Sequence, residues 1–370
     1  MAKLEQVKDS ALLFPILASG PVGMARLAAE SEHAEDGHLI EFRTMESRSI
    51  LNKSVSKRKL WMAYSINPYR GCEFGCKYCY ARYTHEFLLP VKASVAEAPR
   101  LSEVQQPWAL AFEREIYLKE NAAWLLEQEL KKIDPKEEIA IGTATDPYQP
   151  IERRVGITRS LLEVFAKKEG YRIGIVTKST LIQRDIDLLT EIGKTNRLVV
   201  HLTITSTDSA LARILEPRAP RPDLRFATVR KLRDAGIRTG VLCSPLLPGI
   251  TDNERALDAV AKKAAESGAN FLAASPLFLK SCSRPTYLSF VREHFPHLAG
   301  EYAKRFAKMD FADKAYSQHI ALMVKRVCHK HKLGERFSDT LLTRDVGELR
   351  KSPTGVRATA VGAAQGLLFA

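Results

Sequence analysis

Three cysteines, Cys72, Cys76 and Cys79, crowd into the run Asn67-Pro-Tyr-Arg-Gly-Cys-Glu-Phe-Gly-Cys-Lys-Tyr-Cys-Tyr-Ala-Arg82. Iron–sulfur cubanes are held by cysteine thiolates, ordinarily four, so a CxxxCxxC trio leaves one iron without a protein thiolate. An open iron is a place for a substrate or cofactor to bind. Gly71 and Gly75 suit a loop wrapped closely round an inorganic core, because glycine accepts backbone angles that a Cβ resists. Tyr78, between the second and third thiols, can offer its ring edge or backbone to a bound planar group. Other chemistries compete for the same residues. A structural zinc wants a closed set of four ligands, and the nearest fourth candidate is His85. Structural disulfides fit poorly with six cysteines in 370 residues, three of them crowded together. Three reduced core thiols are the remaining alternative.

The segment resembles the cluster loop of the radical S-adenosylmethionine (radical SAM) superfamily, which uses CxxxCx(aromatic)C. The longer string resembles, more narrowly, the spore photoproduct lyase-like or DNA repair photolyase-like branch, and the likeness covers most of the expected barrel. The resemblance implies a 4Fe–4S cluster on Cys72, Cys76 and Cys79, with the amino and carboxylate groups of SAM chelating the fourth iron. It implies an enzyme: one-electron reduction cleaves SAM to a 5′-deoxyadenosyl radical, which abstracts hydrogen from a substrate in a lyase-type or other radical transformation. The cofactor does the difficult chemistry while protein holds and aims it. A one-electron donor of the flavodoxin or ferredoxin kind is implied as a partner, and the branch implies nucleic acid as a substrate class. One departure matters. Spore photoproduct lyase carries a hydrogen-donor cysteine some tens of residues past its cluster motif, and this chain has no cysteine between Cys79 and Cys243. Repair of the spore-type thymine dimer is therefore not carried over.

These residues need a frame, and the chain supplies one. Residues 1–60 mix short apolar pieces with charge, ending in Lys53-Ser-Val-Ser-Lys-Arg-Lys59, and are read as an extension. Met62 to Asn67 reads as a strand feeding the cysteine loop, with a helix over Lys77 to Leu89. Apolar residues at helical intervals from Trp108 to Lys132 predict one long amphipathic helix stopped by Asp134-Pro135. Strands then alternate with helices: strands over 138–145, 172–178, 197–206, 237–244 and 270–277, helices over 158–168, 184–193, 210–215, 223–235 and 252–267. Such alternation indicates βαβ units and a parallel sheet. With the strand before the cysteines this makes about six βα units, short of the eight that close a full TIM barrel. The predicted fold is α/β, a partial, TIM-like (β/α)6 barrel over 61–280, matching the one the resemblance implies. A helical cap follows over 281–348, with helices at 286–294, 300–308 and 312–329, and a flexible tail over 349–370. Cys282 and Cys328 stand alone, so no CxxC-bearing auxiliary cluster is expected.

Active sites of parallel α/β barrels lie where the strands end, because the βα loops converge there. The strand ends read Gly142-Thr-Ala-Thr-Asp-Pro-Tyr148, Thr177-Lys-Ser179, Thr203-Ile-Thr-Ser206, Cys243-Ser-Pro245 and Ala274-Ser-Pro276, each delivering small or polar groups to one rim. In the superfamily the loop after the second strand contacts the SAM amino group, often through a GGE-type sequence. This chain lacks GGE, which leaves Thr143, Thr145 or Asp146 for that role, although Asp146-Pro147 is equally turn chemistry. The fourth strand's end implies Thr205 and Ser206 as contacts to ribose and carboxylate. Lys178 and Ser179 are placed to meet the SAM carboxylate or a substrate anion. Glu216, in a Glu-Pro step similar to one in the branch, either binds ligand or caps a loop. Cys243, at the mouth of the fifth strand, is a candidate hydrogen-atom donor; its plainer reading is a small buried hydrophobe.

Charge and composition narrow the partners. Net charge is +13, with 45% hydrophobic and 27% charged residues. That balance is ordinary for a globular protein, and the positive excess favours anionic partners, nucleic acid among them. A denser basic stretch, Lys325 to Arg336, reads either as a solvated helix face or as a phosphate-tracking surface. No apolar run approaches the ~18 residues that would span a bilayer. The apolar piece Ala11 to Val22 is interrupted by Pro15, Gly20 and Pro21 and is read as an arm, not a signal peptide, which leads to a cytoplasmic expectation. Two alternatives stay open: the same cofactor acting on a peptide or small molecule, and a non-enzymatic iron–sulfur redox sensor or nucleic-acid-binding module. Oligomeric state is not legible.

Overall fold

The computed structural model describes residues 39–53, 63–88, 107–307, 309–310 and 313–335. The arm around Ala11 to Val22, the stretch 54–62 and the tail beyond Leu349 lie outside the described residues.

The strands are β1 (Glu41–Thr44), β2 (Leu51–Lys53), β3 (Tyr64–Ile66), β4 (Tyr69–Arg70), β5 (Glu115–Leu118), β6 (Glu138–Ile141), β7 (Arg172–Thr177), β8 (Arg197–Thr203), β9 (Thr239–Leu246), β10 (Phe271–Pro276) and β11 (Gly334–Glu335). The main sheet runs β11-β10-β9-β8-β7-β6-β3-β2. Its neighbours from β3 to β11 pair in parallel, and β2 pairs antiparallel to β3. In-register stacks such as Ile139, Ile173 and Leu198 carry the core across the strands. Nearly every residue of β6, β7 and β8 is buried. Strands covered on both faces read as continuous apolar runs rather than alternating ones, which is why these could be seen in the sequence. The order is linear, with β2 and β11 at its ends, so the described strands form an open sheet of the partial-barrel kind. Both edge strands come from outside residues 61–280.

Helices connect the parallel strands on their outer side. Ile157–Ala166 shows the rule: Ile157, Thr158, Leu161, Leu162 and Phe165 are buried, one stripe at helical spacing. Ile186–Thr195, Pro222–Asp234 and Glu254–Glu266 follow in turn, the last capped by the Asn253 side chain, which accepts from Ala256 N at 2.9 Å. The C-terminal helices are Arg284–His294, Ala299–Arg305 and Lys314–Lys330. Among the described residues, no helix is long and apolar enough to cross a membrane.

Two sequence expectations are corrected. The long helix expected over Trp108 to Lys132 is instead a short helix Pro107–Ala111, strand β5, and a second helix Ala122–Glu129. In β5 the buried Ile116 and Leu118 alternate with half-buried Glu115 and Tyr117, a period of two that the flanking helical spacing masks. β5 is the centre of a small sheet, β1-β5-β4, parallel to β1 and antiparallel to β4. That sheet pins the root of the cysteine loop, because Tyr69 and Arg70 of β4 pair with Leu118 and Tyr117 immediately before Gly71. The helix expected over Lys77 to Leu89 is a tighter 3₁₀ run, Tyr80–Leu88. There the Thr84 hydroxyl donates to Ala81 O (2.8 Å) and the Arg82 guanidinium to Cys76 O (3.3 Å), side-chain bonds that compete with a regular ladder.

Candidate active site

A cleft of about 880 Å³, its mouth included, opens where β6, β7, β8, β9 and β10 end. Cys72, Cys76 and Cys79 line it together with Tyr78, and facing them from the strand ends are Thr143, Thr145, Asp146, Thr177, Lys178, Thr203, Ser244 and Ser275. Phe74, Tyr80, Phe112 and Phe278 supply an aromatic lining.

The cysteine loop is held by its own chain on every side. Cys72 N donates to Phe112 O (3.0 Å), and Lys77 N donates to Leu215 O (2.9 Å). Glu73 N donates to the Gln149 side chain (2.8 Å), and the Glu73 carboxylate accepts from Ile151 N (2.7 Å). Beneath the loop lies Arg82, fully buried, bonded to Ala109 O (2.8 Å) and paired with Glu113 (3.2 Å). The loop glycines serve this packing. A Cβ on Gly71 (φ +90°) would lie 2.7 Å from Glu115 O and 2.9 Å from Phe112 O, and one on Gly75 (φ +60°) would meet the Arg218 guanidinium and the Glu113 carboxylate. Both glycines thus admit neighbouring protein rather than an inorganic core.

The residues expected at the site divide into two groups. Thr143, Thr145, Asp146, Lys178 and Tyr78 come together in the cleft. Thr145 Oγ1 donates to Gly71 O at 2.5 Å, tying β6's loop to the root of the cysteine loop. The Asp146 carboxylate accepts from Thr177 Oγ1 (2.6 Å), Lys178 N (2.7 Å) and Tyr148 N (2.9 Å), so it closes its own turn and locks the end of β7 to it. Burial pushes its pKa up, against those three bonds. Lys178 Nζ stands 5.7 Å from the centre of the Tyr78 ring. Burial opposes its charge, but Cys76 and Glu216 outweigh that and hold its pKa above the ordinary value.

Ser179, Thr205, Ser206, Glu216 and Cys243 are not among the cleft-lining residues. The Ser179 hydroxyl caps the turn Thr180–Asp185, accepting from Leu181 N at 3.2 Å. The Ser206 hydroxyl accepts from Asp208 N (3.0 Å), and Thr205 Oγ1 donates to Glu216 (3.4 Å). Glu216 is buried beneath the loop, taking the Tyr78 hydroxyl and pairing with Arg225 at 2.5 Å. Burial would raise its pKa, yet Arg225 and Lys178 more than offset this and keep it below the carboxylate norm. Leu242 and Ser244 line the cleft, whereas Cys243, one residue out of phase on β9, joins the sheet core with its thiol toward Thr205 O at 3.6 Å. Strand alternation turns the Cys243 thiol away from the cleft-lining face, and burial pushes it up to about 12.

The sequence reading passed over several cleft residues. Ser244 and Ser275, hydrogen bonded at 2.9 Å, sit within strand-end stretches already singled out, but nothing in their type marked them. The aromatic lining comes from three distant segments and has no local signal. Cys282 is not isolated in space: its thiol packs 3.9 Å from Tyr80 O, and its neighbour Ser283 donates to Cys79 O at 2.6 Å.

The donor set fits a metal–sulfur group. Burial pushes all three loop thiols above the ordinary thiol range, Cys76 to about 12, and for Cys72 the carboxylate of Asp146 and the other two thiols add to that effect. Thiolates in so dry a place need a positive partner, which an iron cluster provides. His85 fits a zinc site poorly: its ring bonds Glu115 O at 2.9 Å, wedged edge-on between Phe112 and Tyr117. Among the described residues, no three His, Cys, Asp or Glu side chains gather tightly enough to share one ion.

Comparison with known proteins decides the family. Residues 66–259, just over half the chain and spanning the cysteine loop and strands β6 to β9, match the Radical SAM superfamily. The chain belongs to the radical SAM superfamily. It is therefore an enzyme of that superfamily, whose cofactors are a 4Fe–4S cluster and SAM, and it needs a reductant. An uncharacterised protein of Mycobacterium tuberculosis is 28% identical over 295 residues, 80% of this chain and 82% of the relative. Another, of Methanocaldococcus jannaschii, is 30% identical over 191 residues, 52% of this chain and 63% of the relative. Among solved structures, a spore photoproduct lyase variant superposes with a TM-score of 0.54 at 13% identity, covering 80% of each chain. A second variant of that lyase, with bound AdoMet and dinucleoside spore photoproduct, gives 0.52 at 15% identity and 80% coverage of each chain. At these identities the likeness is one of fold.

Proposed function

We propose that this radical SAM enzyme carries its 4Fe–4S cluster on Cys72, Cys76 and Cys79 and binds SAM in the cleft beside them, to act on a nucleobase-bearing substrate. The observation that carries the reading is the convergence of the three thiols with the polar ends of five parallel strands in one cleft. Held by Cys72, Cys76 and Cys79, a bound cluster would supply one-electron reduction of SAM, and SAM the radical chemistry of hydrogen abstraction from substrate. The chain's residues hold and aim that chemistry. Lys178 offers a fixed cation for the SAM carboxylate, Thr143 offers a hydroxyl on the β6 side where Thr145 anchors the root of the cysteine loop, and Tyr78 presents a ring to a planar group. Asp146 keeps the β6 and β7 ends in register rather than reaching freely into the cleft. The core takes in the described residues between 61 and 280, and the helices Arg284–His294, Ala299–Arg305 and Lys314–Lys330 form its cap.

Three features support the nucleic-acid class of substrate. The cleft is aromatic, and base-aromatic stacking contributes ~1–3 kcal/mol per base. At the side of the cleft, Lys280 Nζ lies 3.9 Å from the centre of the Tyr83 ring, pairing a cation with a half-exposed aromatic. Net charge is +13. The electron donor is proposed to be a small flavodoxin- or ferredoxin-like protein. The test is anaerobic reconstitution with SAM and dithionite: 5′-deoxyadenosine should form, and oligonucleotides should bind with an affinity that falls steeply as salt rises. Cluster-loaded protein that makes no 5′-deoxyadenosine overturns the reading, and salt-indifferent or absent oligonucleotide binding moves the substrate to a peptide or small molecule.

A further inference from the structure

The segment that follows β8 clamps the cysteine loop from below. Leu215 O accepts from Lys77 N at 2.9 Å, the Arg218 guanidinium donates to Glu73 O, and the same guanidinium lies 3.6 Å from Glu113. Two charges stand at the centre of this clamp. Glu216 accepts from the Tyr78 hydroxyl with one oxygen and meets Arg225 at 2.5 Å with the other. Arg225 is in turn fixed by Thr203 O (3.0 Å) and Pro220 O (2.6 Å). Both side chains are almost wholly buried, and neither lines the cleft.

A buried ion pair is a costly way to fill space, since well-packed apolar residues of similar volume often serve stability as well or better. These charges sit directly under the ring that separates Cys76 from Cys79, in surroundings where a charge acts over a longer range than in water. We infer that Glu216 and Arg225 are a positioning pair for the radical SAM chemistry, fixing Tyr78 and setting the charge felt by a cluster on the cysteine loop. This rests on the cysteine assignment proposed above. Glu216 places a negative charge beside a group that must accept an electron, and Arg225 offsets it. Removing either charge should move the cluster's reduction potential in opposite directions, a signature that a merely structural pair does not give.

The experiment is a redox titration of anaerobically reconstituted full-length protein, followed by the electron paramagnetic resonance signal of the reduced cluster, with iron counted per chain. Glu216→Gln keeps the shape and the Tyr78 contact; its potential is expected to shift positive at wild-type iron content. Arg225→Gln is expected to shift it negative, and Arg225→Lys to restore it toward wild type. Wild-type iron content with unchanged potentials in Glu216→Gln and Arg225→Gln overturns this inference and leaves the proposed function standing. A wild-type chain that takes up no iron overturns the proposed function first. If Glu216→Gln cannot hold iron, the sign of the Arg225→Gln shift decides; loss of iron from both, with Tyr78→Phe retaining it, reduces the pair to a structural role.

Discussion

Two regions of this molecule are rich in charge, and they behave oppositely. On the helix Lys314–Lys330 and the turn after it, three residues of the basic stretch pair with acidic neighbours at the surface: Arg326 with Glu254 at 3.1 Å, and Lys330 and His331 with Asp258 at 2.9 and 2.7 Å. Those three residues therefore fit a solvated helix face better than a phosphate-tracking surface; Arg336 lies outside the described residues. Under the cysteine loop, Arg82 with Glu113 and Arg225 with Glu216 are buried; both arginines are also tied to backbone carbonyls, and Glu216 to the cleft residue Tyr78. A count of basic residues points to the first region. Burial and connection point to the second, and there we propose the chemistry lies.

The contrast can be broken by substitution. Arg225→Met leaves Glu216 buried without its main partner and is expected to cost ~3–5 kcal/mol in urea unfolding. A cost below ~1 kcal/mol would place the pair among the surface bridges. His85, near the same loop, sharpens the point through pH. Its pKa is lowered to about 4, chiefly by burial, from an ordinary 6.5. The folded state therefore favours the neutral ring. Its contribution is complete above pH 6.5 and is lost as pH falls toward about 4, by roughly 3 kcal/mol at most. Wild-type stability should fall over that window relative to His85→Gln, and parallel profiles would contradict the neutral buried ring. Thr177→Val removes one of the bonds to the Asp146 carboxylate and should cost ~1 kcal/mol, read as a lowered urea midpoint. Smallest of all, Arg326→Ala should change stability by less than ~1 kcal/mol, and less still at high salt.

How far the sequence reached follows the same physics. The parallel strands β6, β7 and β8 are legible because strands buried on both faces are largely apolar, and the helices between them because each buries one stripe. The Cys72-Cys76-Cys79 loop was legible because ligand spacing is local. β5 was missed because four residues of strand, Glu115–Leu118, lie between helices whose apolar spacing continues across them, and only pairing with β1 and β4 decides its state. Thr205, Ser206 and Cys243 lie at strand ends, and which way each side chain points depends on strand phase and on partners such as Glu216, which Thr205 meets from eleven residues away. Arg225, which holds Glu216, had no sequence signal at all.

The central claim is that the three thiols of the loop hold an iron–sulfur cluster with one iron left for SAM. Iron and acid-labile sulfide counted on anaerobically reconstituted protein test it most directly. About four of each per chain are expected, with the loss of both in a Cys72, Cys76, Cys79 triple alanine variant that stays folded and a change in the cluster's paramagnetic signal on adding SAM. Zinc in place of iron, or a cluster that survives the triple substitution, would contradict the account.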